Sequence, residues 1–459
     1  MELPNGESIL SEERAVRGKR RRLRACYILL AALVVLVSGY GLLRWRLKSQ
    51  LQRRMDAIRA AGYPITCAEL DKWQSIPEDV DNAAYMILDA ISCYQKSTEA
   101  ESLPVVGRGE LLSRTEDFSE ETGSRIAQFL GENSEALELL HEAASIEHSR
   151  YPVDYRVAMH IVLPELNEIK NCARLARLEA VWRAECNDAE RALESMLSVF
   201  GVARSLAREP MVICQIVHIA CHGNAVLAIE RVINRTGLTD EQLVQLSGAL
   251  ISAEQGSDIS RAFVSERCEV LSVFRNPEYL DSDNLGFEPP HIVALKVQQA
   301  LGLLDKGAIV YLDLMSDYIE TTRLPEHERK KAVEAIDVRA EATWVSSMPF
   351  TPLFARFITA DLRRIAQLRT ARAGLAIERY RLDNGKLPEK LAELVPAYLD
   401  AVPKDPFDGQ ELRYKRLEKG YVVYSIGRDL SDDGGAELLP PSKRTGGKES
   451  WDVTFIVER

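Results

Sequence analysis

Residues 25–43 read ACYILLAALVVLVSGYGLL, nineteen consecutive positions without a charged side chain. At helical rise they span about 28 Å, close to the hydrocarbon thickness of a bilayer. A buried core helix would not be bracketed by charge, whereas Arg24 precedes this run and Arg44 and Arg46 follow it. A secretory signal has a shorter apolar region that ends in small residues at a cleavage site. Here Tyr40, Leu42 and Leu43 close the run, and Trp45 lies just beyond. The expectation is an uncleaved, single-pass transmembrane helix.

Charge on either side predicts the orientation. Arg14, Arg17, Lys19, Arg20, Arg21, Arg22 and Arg24 lie before the span; Arg44, Arg46, Lys48, Arg53 and Arg54 lie after it. Seven against five places the N-terminus in the cytoplasm by the positive-inside tendency. Residues 1–24 carry +3, so residues 44–459 carry −14 of the overall −11. The predicted arrangement is a basic cytoplasmic tail (1–24), a helix in the inner, cytoplasmic membrane (25–43) and an acidic extracytoplasmic body.

The chain has 459 residues, 46% hydrophobic and 28% charged. That is too long for one ordinary core and too apolar for wholesale disorder. The negative balance argues against a nucleic-acid binder. Eight cysteines are too few for a disulfide scaffold. Seven lie beyond the span, so at least one stays unpaired within the chain, and Cys67 with Cys93 is a pairing the predicted helices permit.

Beyond the membrane the pattern is helical. The anchor helix is expected to continue from Leu47 to about Arg59. Thr66-x-x-Glu69 is a capping box that starts a short helix through Trp73; Asn82 caps another. Residues 96–120 read as a loop, and 124–149 and 160–276 as successive helices. Leu175, Leu178 and Trp182 recur at helical steps, Asn187-Asp188 punctuates, and Thr239-x-x-Gln242 caps a later helix. Further helices are expected up to Ile319 and over 326–345. The fold class is mainly α, with residues 44–345 as a helical ectodomain, either a bundle or solenoid-like.

The pattern changes over 352–459. A long helix runs from Phe354 to about Leu382 and ends at Asn384-Gly385, residues that tolerate a left-handed backbone. A short helix and the turn signals Asp405-Pro406 and Asp408-Gly409 follow. Residues 411–417, 421–426 and 452–457 alternate as strands, giving a small α/β module with a three-stranded antiparallel sheet. The order of long helix, YRLDNGKLP, DPFDG, hairpin, YSIGRD, DDGG and closing WDV resembles the globular domain of the type II secretion major pseudopilin (protein G-like). That resemblance implies a calcium ion in the loop between the last strands. Asp429, Asp432 and Asp433, with Asp452 at the start of the last strand, are the corresponding carboxylates. Calcium takes six to eight oxygens in such flexible loops. Arg428, Lys443, Arg444 and Lys448 could neutralise the same acids instead. The phrases AAGYPIT, PEDVDNAA and SLAREPMVICQIVHIA make the body similar to a family of bacterial membrane-anchored envelope proteins, a likeness that implies architecture and no activity. The chain lacks a Phe-rich start to its membrane helix, so polymerisation as a pseudopilin is not expected.

Two further groups bear on chemistry. Cys214, His218 and Cys221 share one helix stripe, with His222 beside it; thiolate and imidazole can ligate zinc or copper, but a small-residue packing stripe with a hydrogen-bonded His is the favoured reading. His141, Glu142, Glu147 and His148 miss the H-E-x-x-H spacing, because position 145 is Ser145, and are expected to be solvated. No G-x-S-x-G, phosphate loop or G-x-G-x-x-G is present. The functional expectation is a membrane-anchored envelope binding or scaffold protein, linked to type II secretion or a pseudopilus-like assembly. Its partners are the membrane and other envelope proteins, and it is more an interaction protein than an enzyme. The alternative is an extracytoplasmic hydrolase with its site in the helical body.

Overall fold

A computed structural model describes residues 6–77, 79–96, 99–109, 113–156, 163–276, 289–343, 354–437 and 451–459. The molecule is mainly helical. Helix α1, Gly6–Ala60, runs without a break through the uncharged span and into the body. Its apolar side chains from Leu23 to Trp45 are exposed. Over Leu23–Ala60 the helix is long and apolar enough to cross a membrane, and none of its most apolar window is buried. Length and composition of this kind suit an anchor or a signal sequence. Among the described residues one other helix, Val212–Arg235, is also long and apolar enough, but more than half of its most apolar stretch is buried in the body.

The N-terminal half of the body is built from short capped helices. Helix α2 (Cys67–Trp73) starts where Thr66 Oγ1 accepts the Glu69 N–H at 3.1 Å, and the Glu69 carboxylate in turn accepts the Ile65 N–H at 2.8 Å. Asn82 caps α3 (Ala83–Cys93), and Ser119 caps α4 (Glu120–Glu132). Helix α5 is Ser134–Ser145. The stretch read as helical over 124–149 is thus made of two helices. The break falls at Asn133, whose buried amide is claimed elsewhere: its Oδ1 accepts the Gln95 N–H at 2.8 Å and its Nδ2 donates to the Phe129 carbonyl at 2.9 Å. A side chain that bonds the backbone this way competes with helix continuation.

Helices α6 (Leu166–Glu185), α7 (Ala189–Ser205) and α8 (Val212–Arg235) pack on one another, and α5 lies on α7. Asp188 caps α7, as the Asn187-Asp188 punctuation predicts. Helix α9 (Asp240–Gln255) opens on a reciprocal capping box between Thr239 and Gln242. Helix α10 (Ser260–Arg275) packs on α12 (Leu303–Thr321), which follows α11 (Pro289–Leu301) across Gly302 in the left-handed region. Helix α13 spans Glu326–Glu341.

The long helix α14, Phe354–Asn384, lies on α8 and α9 on one side and on the sheet on the other. Gly385, at φ 68°, ends it. Strands β1 (Arg413–Arg416), β2 (Tyr421–Ser425) and β3 (Val453–Val457) form one antiparallel sheet in the order β1-β2-β3. Val423 stands opposite Tyr414 on one side and Phe455 on the other. Tyr421, Val423, Val453, Phe455 and Val457 join the main core, whereas Val422, Tyr424 and Ile456 form a small cluster on the outer face. The helix expected after Gly385 is a single 3-10 turn, Leu391–Leu394.

One hydrophobic core is continuous from Met55 to Val457. The last strand is tied to the helical body as well as to its own sheet. Asn234 Nδ2 on α8 donates to the Ile456 carbonyl at 2.9 Å, and Glu230 accepts the Ile456 N–H at 2.7 Å. No disulfide links Cys67 and Cys93. Their helices face different neighbours, α2 on α10 and α3 on α5, which explains why the pairing expected as permissible is not made.

Candidate functional site

The acidic loop is the first place to test. Asp452 is buried, and its carboxylate accepts the N–H of Gly435 at 2.7 Å and of Asp433 at 3.5 Å. Asp432 accepts the Gly434 N–H at 2.9 Å and lies 3.6 Å from Arg413 Nε. Asp429 accepts the Ser431 N–H at 3.3 Å. These carboxylates organise turns. Burial raises the Asp452 carboxyl, and Asp432 and Asp433 both lie close enough to it for their charges to raise it further; among the described residues no group of three or more His, Cys, Asp or Glu could hold a metal ion. Lys443, Arg444 and Lys448 lie outside the described residues.

Asp429 also lines a cleft of about 750 Å³ between α13, α14 and the loop, with Lys330, Arg356, Arg363 and Arg428. Trp451 sits in it with a guanidinium over its ring from either neighbour, Arg363 at 4.9 Å and Arg428 at 5.7 Å. Such pairs are held by the ring quadrupole. Two guanidiniums flank the ring, and with Lys330 and Arg356 lining the same cleft four cations face one carboxylate, Asp429, there.

Sequence reasoning missed Asp405, the first residue of DPFDG. It was read as a turn former and is a fully buried hub. Its carboxylate accepts Ser425 Oγ at 2.8 Å, the Ile426 and Phe407 N–H groups at 2.9 Å each, and Arg413 Nη1 at 2.8 Å. Burial pushes its carboxyl above the ordinary range, while those bonds pull against the shift. No signal short of the folded hairpin shows this role, because Ser425, Ile426 and Arg413 reach Asp405 only once the strands pair.

The second place is a cleft of about 490 Å³ where α4 and α5 face α6 and α7. His141, expected to be solvated, is its centre. Its Nε2 lies 3.0 Å from Glu179 Oε2 and its Nδ1 lies 2.7 Å from Ser198 Oγ. Glu179 also accepts Ser195 Oγ at 3.0 Å and Arg183 Nη2 at 3.2 Å. Burial pushes the Glu179 carboxyl up, but the bonds from His141, Ser195 and Arg183 outweigh it and hold the group below its ordinary value. Glu142 and Glu147 are exposed, as expected, and His148 lies beyond the end of α5.

Ser198, His141 and Glu179 stand in the order nucleophile, base, acid. The geometry does not serve nucleophilic attack, however. Ser198 is fully buried, and its hydroxyl bonds the Glu194 carbonyl of its own helix at 3.0 Å. A nucleophile must reach the cleft where a substrate would lie. The arrangement is a buried polar network that clamps α5 to α6 and α7.

The third place is the stripe on α8. Cys214, His218, Cys221 and His222 are all buried. His218 Nδ1 lies 2.7 Å from the Ala203 carbonyl, the hydrogen-bonded histidine that the packing reading expects. His222 turns its ring to 4.3 Å from that of His218, edge to face, and both line a cavity of about 230 Å³. Burial pushes the His218 imidazole down to about 3, and burial with the His218 neighbour pushes His222 well below its ordinary value, so both are neutral. Burial raises both thiols, which disfavours thiolate chemistry.

No family model, no curated protein and no solved structure matches the chain.

Proposed function

We propose that the chain is a membrane-anchored binding or scaffold protein of the cell envelope. Helix α1 holds a bundle or solenoid-like body at the membrane surface, and a small α/β module is packed onto that body. The observation that carries this reading is the continuity of α1: an apolar, exposed span passes without a break into a segment docked on α12. Arg54 Nε bonds Asp313 at 2.7 Å, and Arg59 Nε bonds Glu69 at 3.0 Å. A helix seated in this way positions the body, whereas a leader destined for removal needs no such seat. The N-terminus is cytoplasmic and the body extracytoplasmic in this reading, with another envelope or secretion-system protein as the partner.

The partner surface in this reading is the cleft around Trp451, whose cations suit a carboxylate-rich segment. Mild crosslinking and affinity capture of the full chain from detergent-solubilised membranes test it. A specific co-purifying protein that is lost on Arg363→Glu with Arg428→Glu supports the reading. Recovery of the chain alone at native levels removes it.

Calcium at Asp429, Asp432, Asp433 and Asp452 is a separate proposal that rests on the sequence pattern and the pseudopilin resemblance. Binding at 100-fold excess over Kd stabilises the folded state by about 2.7 kcal/mol. The full chain should then melt higher with calcium than with chelator, and Asp429→Ala should erase the difference. Identical curves would remove the ion from the account.

A further inference from the structure

We propose that the α11–α12 corner is a second membrane contact: an apolar stripe that rests on the lipid surface beside the point where α1 leaves the bilayer. The inference rests on the reading of residues 25–43 as a bilayer span and goes beyond it.

Depth is set by three contacts. Tyr40 lies three residues before the end of the uncharged run, about 4.5 Å inside it at helical rise. Its hydroxyl donates to the Ala300 carbonyl near the end of α11. One turn further along α1, Arg44 Nη1 donates to the Gln299 carbonyl at 3.1 Å and pairs with Asp305 on α12 at 3.0 Å. The end of α11 therefore sits level with the last apolar turn of the span. Tyr40 and Trp45 are the residue types that settle at the boundary between headgroups and acyl chains.

The face of α11 that leads to that end is apolar. Val293, Val297 and Leu301 recur every four residues, so they share one helix face. With Leu303 they are between 49% and 61% exposed. Four half-exposed aliphatic side chains on one corner leave apolar surface in water that contact with lipid would remove from it. The flanking charges suit an anionic lipid surface, since Arg46 and Lys48 on α1 and Lys306 on α12 are all exposed. Lys306 stands three residues after Leu303, where its stem can lie along the apolar face while its ammonium reaches the headgroups. An amphipathic face with a basic rim, fixed at the boundary by its neighbour, is the pattern of an interfacial helix.

The test places a nitroxide at single cysteines in the full chain. The background carries Cys26→Ser, Cys93→Ser and Cys186→Ser, and the protein is reconstituted in vesicles of zwitterionic and anionic lipid. Collisions with oxygen and with a water-soluble nickel chelate are compared at Val297→Cys and Leu301→Cys. Leu36→Cys marks mid-span, and Val338→Cys marks an exposed apolar position on α13. The expected result is a deep label at 36 and an oxygen-to-nickel ratio at 297 and 301 several-fold above that at 338. A deep label at 36 with 297 and 301 as nickel-accessible as 338 overturns the inference and leaves the anchor standing. Labels at 297 and 301 shielded from both reagents indicate a protein neighbour and also overturn it. A nickel-accessible label at 36 removes the anchor itself, and the inference with it.

Discussion

Glu179 shows how a polar side chain can hold helices together here. Its side chain is 6% exposed, and it takes bonds from His141 on α5, from Arg183 on its own helix and from Ser195 on α7. Glu179→Ala strands those donors, and removing one partner from a buried charged network costs about 3–5 kcal/mol. The denaturant midpoint should fall accordingly, whereas Glu142→Ala, exposed on the same helix as His141, should change it little. A pair of carboxyls on α10 gives the molecule a pH dependence. Burial raises the pKa of Glu266 and of Glu269, and the charge of Glu269 raises Glu266 further. Ser265 Oγ bonds Glu269 at 2.8 Å, and the buried Tyr311 stands nearby on α12. A carboxyl with a raised folded-state pKa keeps its proton in the native protein after the unfolded chain has released it. Its contribution is therefore full below the ordinary value of 4.5 and is lost as pH rises through the raised folded values. Glu266→Gln with Glu269→Gln should be more stable than the parent at about pH 8, with the gap closing towards about pH 4.5. Equal melting temperatures across that range would show that neither carboxyl is shifted.

At the scale of elements, the sequence was most legible where a local bond decides the outcome. Thr66, Asn82 and Thr239 could be read as caps because each bonds its own first turn. The strands and the long helix α14 were legible from alternation and length, although the sheet ends move by one or two residues. The break at Asn133 was not legible, since its amide answers to Gln95, thirty-eight positions away. His141 was misread for the same reason: its partners lie on α6 and α7, and nothing within α5 announces them. Between elements, one tight approach is where α14 meets the sheet. A Cβ at Gly374 would fall 2.4 Å from the Phe455 ring, and the Gly374 carbonyl accepts the Tyr421 hydroxyl at 3.0 Å. Overpacking a filled core costs about 1–3 kcal/mol. Gly374→Ala should therefore lower the melting temperature, and Phe455→Leu in the same chain should recover part of the loss. If Gly374→Ala melts like the parent, the ring has room that this packing denies it.

For the whole molecule, the uncharged span and the helical body were legible from composition, but the way in which the two ends of the body join was not. Strand β3 and helix α14 lie on α8, more than a hundred residues earlier in the chain, and share its core. A single core predicts one cooperative unfolding transition for the body, and an isolated 354–459 fragment would expose the face of α14 that packs on α8 and α9. The remaining large-scale quantity is the side of the membrane on which this body lies. Seven basic residues before the span and five after it set the expectation of an internal N-terminus. Cys186, exposed at the end of α6, is a native reporter for the body. A membrane-impermeant maleimide should label it in intact spheroplasts, and Cys186→Ser should remove that signal. Cys26 lies within the span, where lipid shields it from an impermeant reagent. Ser8→Cys in the Cys186→Ser background should stay unlabelled until the membrane is opened. The reverse pattern would put the acidic body in the cytoplasm and exclude an envelope partner for the Trp451 cleft. It would leave the lipid contact at α11 untouched, because that contact depends on depth and is indifferent to which side the body faces.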